Sequence, residues 1–159
     1  MPGRLEIITH GPDETRAVGK ILGSHARPGD VLLLVGGLGS GKTCLTQGIL
    51  WGLGVDEYAR SPTFVLVARY TGRLTMYHID LYRLESVEEV VDLGLDEYLL
   101  GDGVSVVEWA EKAFGMFPDQ CLTVRMDVIG ENTRRLTLVD DNRRFAEALT
   151  AVQSMTKEG

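Results

Sequence analysis

Several features that mark large protein classes are missing from this 159-residue sequence. No apolar run reaches the roughly 20 residues that a membrane-spanning helix needs. Cysteine is rare: Cys44 and Cys121 share no metal-type spacing, which excludes a disulfide scaffold and a cysteine-based zinc site. The three histidines, His10, His25 and His78, are scattered and form no metal cluster in the sequence. Basic residues are outnumbered, with 16 Lys and Arg against 23 Asp and Glu and a net charge of −7. That balance argues against tight, independent binding to DNA or RNA backbones, where a basic footprint is expected. The opening residues Met1 to Glu6 carry no apolar h-region and no small-residue cleavage site, so the expected location is the cytoplasm. Repeats and low-complexity linkers are also missing. The expectation is one domain over residues 1–159, fraying at its last few residues.

What the sequence does have is glycine, concentrated at one place. Gly36-Gly37-Leu38-Gly39-Ser40-Gly41-Lys42-Thr43 fits G-x-x-x-x-G-K-[ST], the phosphate-binding P-loop. Four glycines in six positions let successive backbone N–H groups converge on an anion without obstruction by Cβ. Ahead of the loop lies the strand-type run Val31 to Val35, apolar on both faces as a central parallel strand should be. Behind it, Lys42 to Leu50 is helix-like, and Cys44 sits just inside that helix. A helix N-terminus adds its positive end to the loop. Lys42 would reach the β- and γ-phosphates, and the Thr43 hydroxyl would ligate Mg²⁺.

The flanking patterns predict the rest. Leu5 to Thr9 is a short strand. A helix begins near Pro12 and runs to about His25, with Val18, Ile21 and Leu22 as its apolar face. Gly52 to Pro62 is an exposed loop. Phe64 to Tyr70 and Leu74 to Asp80 are separated only by Thr71-Gly72-Arg73, which predicts an antiparallel hairpin. Ser86-Val87-Glu88-Glu89 is a capping box. Val104 to Glu108 is a strand, and Trp109 to Phe114 a short helix. Cys121 to Val128 and Arg135 to Val139 form a second hairpin, before a terminal helix over Asn142 to Met155. The predicted fold class is α/β: a P-loop NTPase-like three-layer αβα sandwich, with a mixed, mainly parallel sheet and antiparallel hairpins.

Nucleotide hydrolysis needs a carboxylate for the metal and a group that places water. Asp80 ends a strand, where ligands bind in open α/β sheets, and can hold Mg²⁺ as a Walker B Asp does. A turn or cap role is the competing account. Glu108, after four mostly apolar strand residues, can ligate Mg²⁺ or orient water; a strand-end surface acid is the plainer alternative. Ser61-Pro62-Thr63 offers a hydroxyl able to sense a γ-phosphate, although a simple turn fits nearly as well. No Asn-Lys-x-Asp stretch exists to read guanine, so adenine is the default base.

Taken in order, Gly36 to Thr43, Ser61-Pro62-Thr63-Phe64, Tyr77-His78-Ile79-Asp80-Leu81-Tyr82-Arg83-Leu84 and Glu108-Trp109 resemble the TsaE (YjeE) family over about residues 5–140. The resemblance implies a small ATPase needed for threonylcarbamoyladenosine formation on tRNA. It implies ATP and Mg²⁺ as cofactors, with Lys42 and the loop backbone holding phosphates. Thr43 and Glu108 would be metal ligands, with Asp80 close to the metal. Thr63 would belong to a switch-like segment, and Trp109 would stand near the nucleotide. His10, in the stretch Thr9 to Gly11, and an Arg at 134 or 135 would flank base and ribose. Two positions depart from the family pattern: Gly37, often acidic in the family, and Cys44, where Thr is more usual. The implied partner is a TsaB/TsaD-like complex that transfers threonylcarbamoyl next to the anticodon, so that tRNA is met only indirectly. Two other readings use the same phosphate site: a small-molecule kinase, with Asp80 or Glu108 as base, and a nucleotide-dependent binding module.

Overall fold

The strand run that precedes the glycine-rich loop lies in the middle of a seven-stranded sheet in the computed structural model, which describes residues 3–37, 39–59, 67–113 and 115–157. Chain order is β1 (Arg4–Thr9), α1 (Pro12–Ser24), β2 (Val31–Val35), α2 (Lys42–Gly52), β3 (Val67–Thr71) and β4 (Thr75–Asp80). There follow α3 (Val87–Asp92), α4 (Asp96–Leu99), β5 (Val104–Glu108), a 3₁₀ turn (Ala110–Ala113), β6 (Leu122–Val128), β7 (Arg134–Val139) and α5 (Ala146–Lys157). The sheet order is β1-β7-β6-β2-β5-β4-β3. The central block β6-β2-β5-β4 is parallel, while β1, β7 and β3 join through antiparallel pairs.

Side-chain alternation assigns each strand residue to a layer. Leu32, Leu34, Val104, Val106, Val124 and Met126 face α1, α2 and α5, meeting Val18, Leu22, Leu45, Ile49 and Val152. Val31, Leu33, Ile79 and Val107 face the other way, against Val90, Leu95, Leu99, Ala110 and Ala113. The three-layer αβα sandwich is therefore present, with a small second helical layer. On that side β1, β7 and β6 show Arg4, Glu6, Arg125, Asp127 and Arg135 around a polar groove, the apolar-in, polar-out alternation of a half-covered sheet.

Two helices set the position of the loop. Gly19 and Gly23 on α1 meet Gly48 and Gly52 on α2, one turn apart on each. A Cβ on Gly48 would lie 2.1 Å from the Arg16 carbonyl oxygen, and one on Gly23 2.2 Å from that of Ile49. The backbones thus touch directly, a use of glycine that an apolar-face reading of α1 does not anticipate. The contact carries the start of α1 alongside the start of α2.

The predicted elements shift at several ends. Gly52 belongs to α2 rather than to the following loop, and Gln47 of α2 holds that loop through Glu57 O (3.1 Å) and the Ala59 amide (2.6 Å). The predicted strand residues 64–66, and Thr63 with them, lie outside the described residues, as does Leu38. The Ser86 hydroxyl accepts from the Glu89 amide at 3.2 Å, as the capping box requires; the Glu89 carboxylate takes the amide of Glu85. The terminal helix starts later, at Ala146, because Asp140 first caps the turn by accepting from the Phe145 amide at 2.9 Å.

Candidate active site

The glycine-rich loop joins β2 to α2. Gly39 (φ 76°) and Gly41 (φ 104°) occupy the left-handed region that favours glycine. Gly36 is needed for space: a Cβ there would meet Met126 O at 2.7 Å and Ser40 Oγ at 2.8 Å. The Ser40 hydroxyl is buried with no hydrogen-bond partner among the described residues. A buried hydroxyl without a partner is uncommon in folded proteins and suits a site that takes a polar ligand.

Beside the loop is a cavity of about 510 Å³. Gly37, Gly39, Ser40, Gly41, Lys42, Thr43 and Cys44 form one wall, and Asp80, Glu108, Trp109 and Arg134 form others. Strand register brings the two carboxylates together: Asp80 at the end of β4 is paired with Glu108 at the end of β5, and Glu108 is paired with Leu34 of β2. All three strands run the same way, so their C-terminal ends open on one crevice.

Lys42 is buried. Its Nζ donates to the carbonyls of Gly36 and Gly37, at 3.0 Å to the latter, and stands 4.0 Å from the centroid of the Trp109 ring. Burial lowers its pKa from the ordinary lysine value, opposed by the negative charges of Glu108, Glu111 and Asp80. Asp80 is pushed the other way: burial raises its pKa and the neighbouring Glu108 adds to the rise. The Tyr82 amide, donating to Asp80 Oδ1 at 2.9 Å, works against it, as do His78 and Lys42. Asp80 therefore ends β4 and also accepts from the turn that follows it, so the turn role considered from sequence is present at the same carboxylate. Glu108 is only 5% exposed, which rules out the surface-acid account.

Trp109 is not the first residue of a helix. Its backbone is left-handed (φ 59°), a conformation that costs a large side chain free energy. The kink ends β5 and turns the indole back over Lys42 before the 3₁₀ turn begins. Tyr82 packs against the indole with its ring tilted by 43°, at 4.9 Å between centroids.

Arg134 and Arg135 part company because successive strand residues point to opposite faces. Arg134 lines the cavity and donates to Gly39 O at 3.2 Å and Gly130 O at 3.0 Å, tying the β6–β7 hairpin to the loop. Arg135 faces the polar groove, near Glu6 (3.4 Å) and Asp127 (3.8 Å). His10 is exposed and lies outside the cavity lining, while its neighbour Gly11 is part of it. Pro12, Thr15, Tyr82, Arg83 and Asn132 also line the cavity; none was assigned to the site from the residues alone. Tyr82 and Arg83 adjoin Asp80 in the sequence, which was a usable signal, whereas Thr15 and Asn132 had none.

The donor set suits Mg²⁺. The cavity offers the Thr43 hydroxyl and two carboxylates, hard oxygen ligands of the number that Mg²⁺ takes when phosphates and water complete its shell. Among the described residues no cluster of three His, Cys, Asp or Glu exists to form an all-protein metal cage.

Three comparisons bear on this arrangement. The family model for threonylcarbamoyl adenosine biosynthesis protein TsaE matches residues 9–136. A TsaE protein of Bacillus subtilis (strain 168) is 42% identical over 143 residues, covering 89% of this chain and 89% of its own length. One of Treponema pallidum (strain Nichols) is 38% identical over 134 residues, 84% of this chain and 99% of its own. The crystal structure of Bacillus subtilis YdiB superposes with a TM-score of 0.79 at 35% identity, covering 96% of this chain and 95% of that one.

Proposed function

The chain belongs to the TsaE family, and from that premise we propose that it is a Mg²⁺-dependent ATPase. It assists a TsaB/TsaD-like protein complex in forming N6-threonylcarbamoyladenosine on the tRNA adenosine next to the anticodon. The observation that supports ATP chemistry is the meeting of Asp80 and Glu108, at the ends of adjacent parallel strands, with Lys42 and Thr43 in one cavity.

In this reading the loop amides and Lys42 bind the phosphates, and Trp109 holds Lys42 in place from the opposite side. Thr43 and Glu108 would hold Mg²⁺, with Asp80 contributing to the same site, and the metal would neutralise charge on the phosphates, the terminal phosphoryl group included. Glu108 and Asp80 orient water against that group. Arg134 steadies the loop through Gly39 O. The base is adenine, and the protein works in the cytoplasm, meeting tRNA only through its partner; among the described residues no helix is long and apolar enough to cross a membrane.

Replacing Lys42 by Ala is expected to weaken ATP binding by about 10- to 100-fold, the range for removing a hydrogen bond to a charged group. Equilibrium binding checks it. Thr43→Ala is expected to keep metal-free binding and lose Mg²⁺-dependent turnover. The deciding experiment is ATP hydrolysis with Mg²⁺ by the purified protein, alone and with the threonylcarbamoyl-transferring complex of the same source. Slow turnover alone and clear stimulation by the complex are expected. Phosphoryl transfer to a metabolite, with no response to the complex, would instead make the protein a small-molecule kinase.

A further inference from the structure

His78 lies on β4, two residues before Asp80, and is 1% exposed. It is paired across the sheet with Val106 and sits on the face shared by Met76, Val104 and Val106. An apolar side chain would fill such a place without the cost of burying an imidazole. The ring makes one hydrogen bond: Nε2 to Oε2 of Glu108, both groups buried. A carboxylate only accepts, so Nε2 carries the hydrogen and donates. The other ring nitrogen, Nδ1, is buried with no partner among the described residues. Among the described residues, the polar capacity of this histidine is thus spent on Glu108 alone. Its bond takes one carboxylate oxygen and leaves the other for the cavity that Glu108 lines.

We propose that His78 is the positioning residue of the site: its Nε2–H fixes the Glu108 carboxylate so that the second oxygen faces the metal position beside Thr43. The proposal rests on the reading of Glu108 as a Mg²⁺ ligand. Outer partners of metal ligands commonly govern affinity in this way, and their loss costs about 10- to 100-fold in metal binding or activity. The side chains that replace His78 can separate this role from packing. Gln carries its amide about as far as Nε2 and can still donate to Glu108. Asn is polar too, but its amide reaches only the position of Nδ1. Leu fills the space and donates nothing.

The test uses Mn²⁺ as the probe, with its binding to the full-length protein in excess ADP followed by electron paramagnetic resonance. ADP affinity in EDTA and melting temperature are measured on the same samples. His78→Asn and His78→Leu are expected to weaken Mn²⁺ binding about 10-fold or more, with metal-free ADP affinity unchanged. His78→Gln is expected to recover most of the loss. Parental Mn²⁺ affinity in folded His78→Asn would overturn the proposal, and so would His78→Gln binding no better than His78→Asn at a similar melting temperature. The Asn and Gln pair decides even where Leu fails to fold. Glu108→Gln serves as the control: if it leaves Mn²⁺ affinity unchanged, the metal-site reading itself fails. If it weakens Mn²⁺ binding while the His78 variants do not, only the positioning role fails.

Discussion

Replacing Glu108 by Ala is expected to lower ATP hydrolysis by about 10²- to 10³-fold, the loss seen when a fixed electrostatic group is removed from a reacting centre, while nucleotide stays bound. The two effects separate because the carboxylate and the phosphates carry like charge. Without metal, Glu108 opposes phosphate binding, so its removal does not weaken the loop's grip. Lys42 loses the first of the charges that favour its protonated form, which moves its pKa further down but leaves its position over Trp109 intact. Turnover suffers because Glu108 is the buried member of the carboxylate pair, held in register with Asp80 and hydrogen-bonded by His78. Asp80, half-buried and raised in pKa by burial, does not replace it. Separate measurement of turnover and of ATP affinity checks this. Near-parental turnover in the variant would remove Glu108 from the chemistry.

The second large effect concerns folding. Gly48→Ala is expected to destabilise the protein by at least about 3 kcal/mol, at the upper end of overpacking costs. Helix propensity alone predicts the opposite, a gain of about 1 kcal/mol for Gly to Ala in a helix interior. Geometry decides the sign. The added Cβ would sit 2.1 Å from the Arg16 carbonyl oxygen and 2.9 Å from the Gly19 Cα, and both are backbone atoms that cannot rotate away. Relief requires α1 and α2 to separate, which opens the core around Val18, Leu45 and Ile49. At about 2–4 °C per kcal/mol for a chain of this size, the melting temperature should fall by about 6–12 °C. Gly37→Ala is the matching control, since a Cβ there meets nothing within 4 Å; its melting temperature should hardly move. Equal melting of the two variants would show that the helices are not locked by backbone contact.

The reach of the sequence can be judged from particular residues. The loop Gly36 to Thr43 was legible because a backbone anion cradle needs its glycines, Lys and Thr at fixed local spacing. The strand runs, the Ser86–Glu89 cap and the two hairpins were legible for the same reason: each is a pattern completed within about twenty residues. Asp80 and Glu108 could be nominated one at a time, as acids ending apolar strands. Their neighbourhood could not, because it depends on β4 and β5 pairing in parallel across the α3–α4 connection.

Tertiary structure decided everything that joins distant segments. Strand parity sends Arg134 to the loop and Arg135 to the groove, a choice that a one-residue slip would reverse. The left-handed backbone of Trp109 returns the indole to Lys42, against the helical tendency of the residues that follow. His78, one scattered histidine among three in the sequence, becomes the partner of a carboxylate thirty positions away. Gly19 and Gly48 are ordinary helix-weakening residues until two helices meet on them. Local chemistry writes itself into the sequence because its spacing is fixed by the backbone. Contact between segments leaves no such spacing, so the sequence by itself determined the glycine-rich loop between strand and helix, the strands and the family, and the fold alone determined which side chains share the cavity.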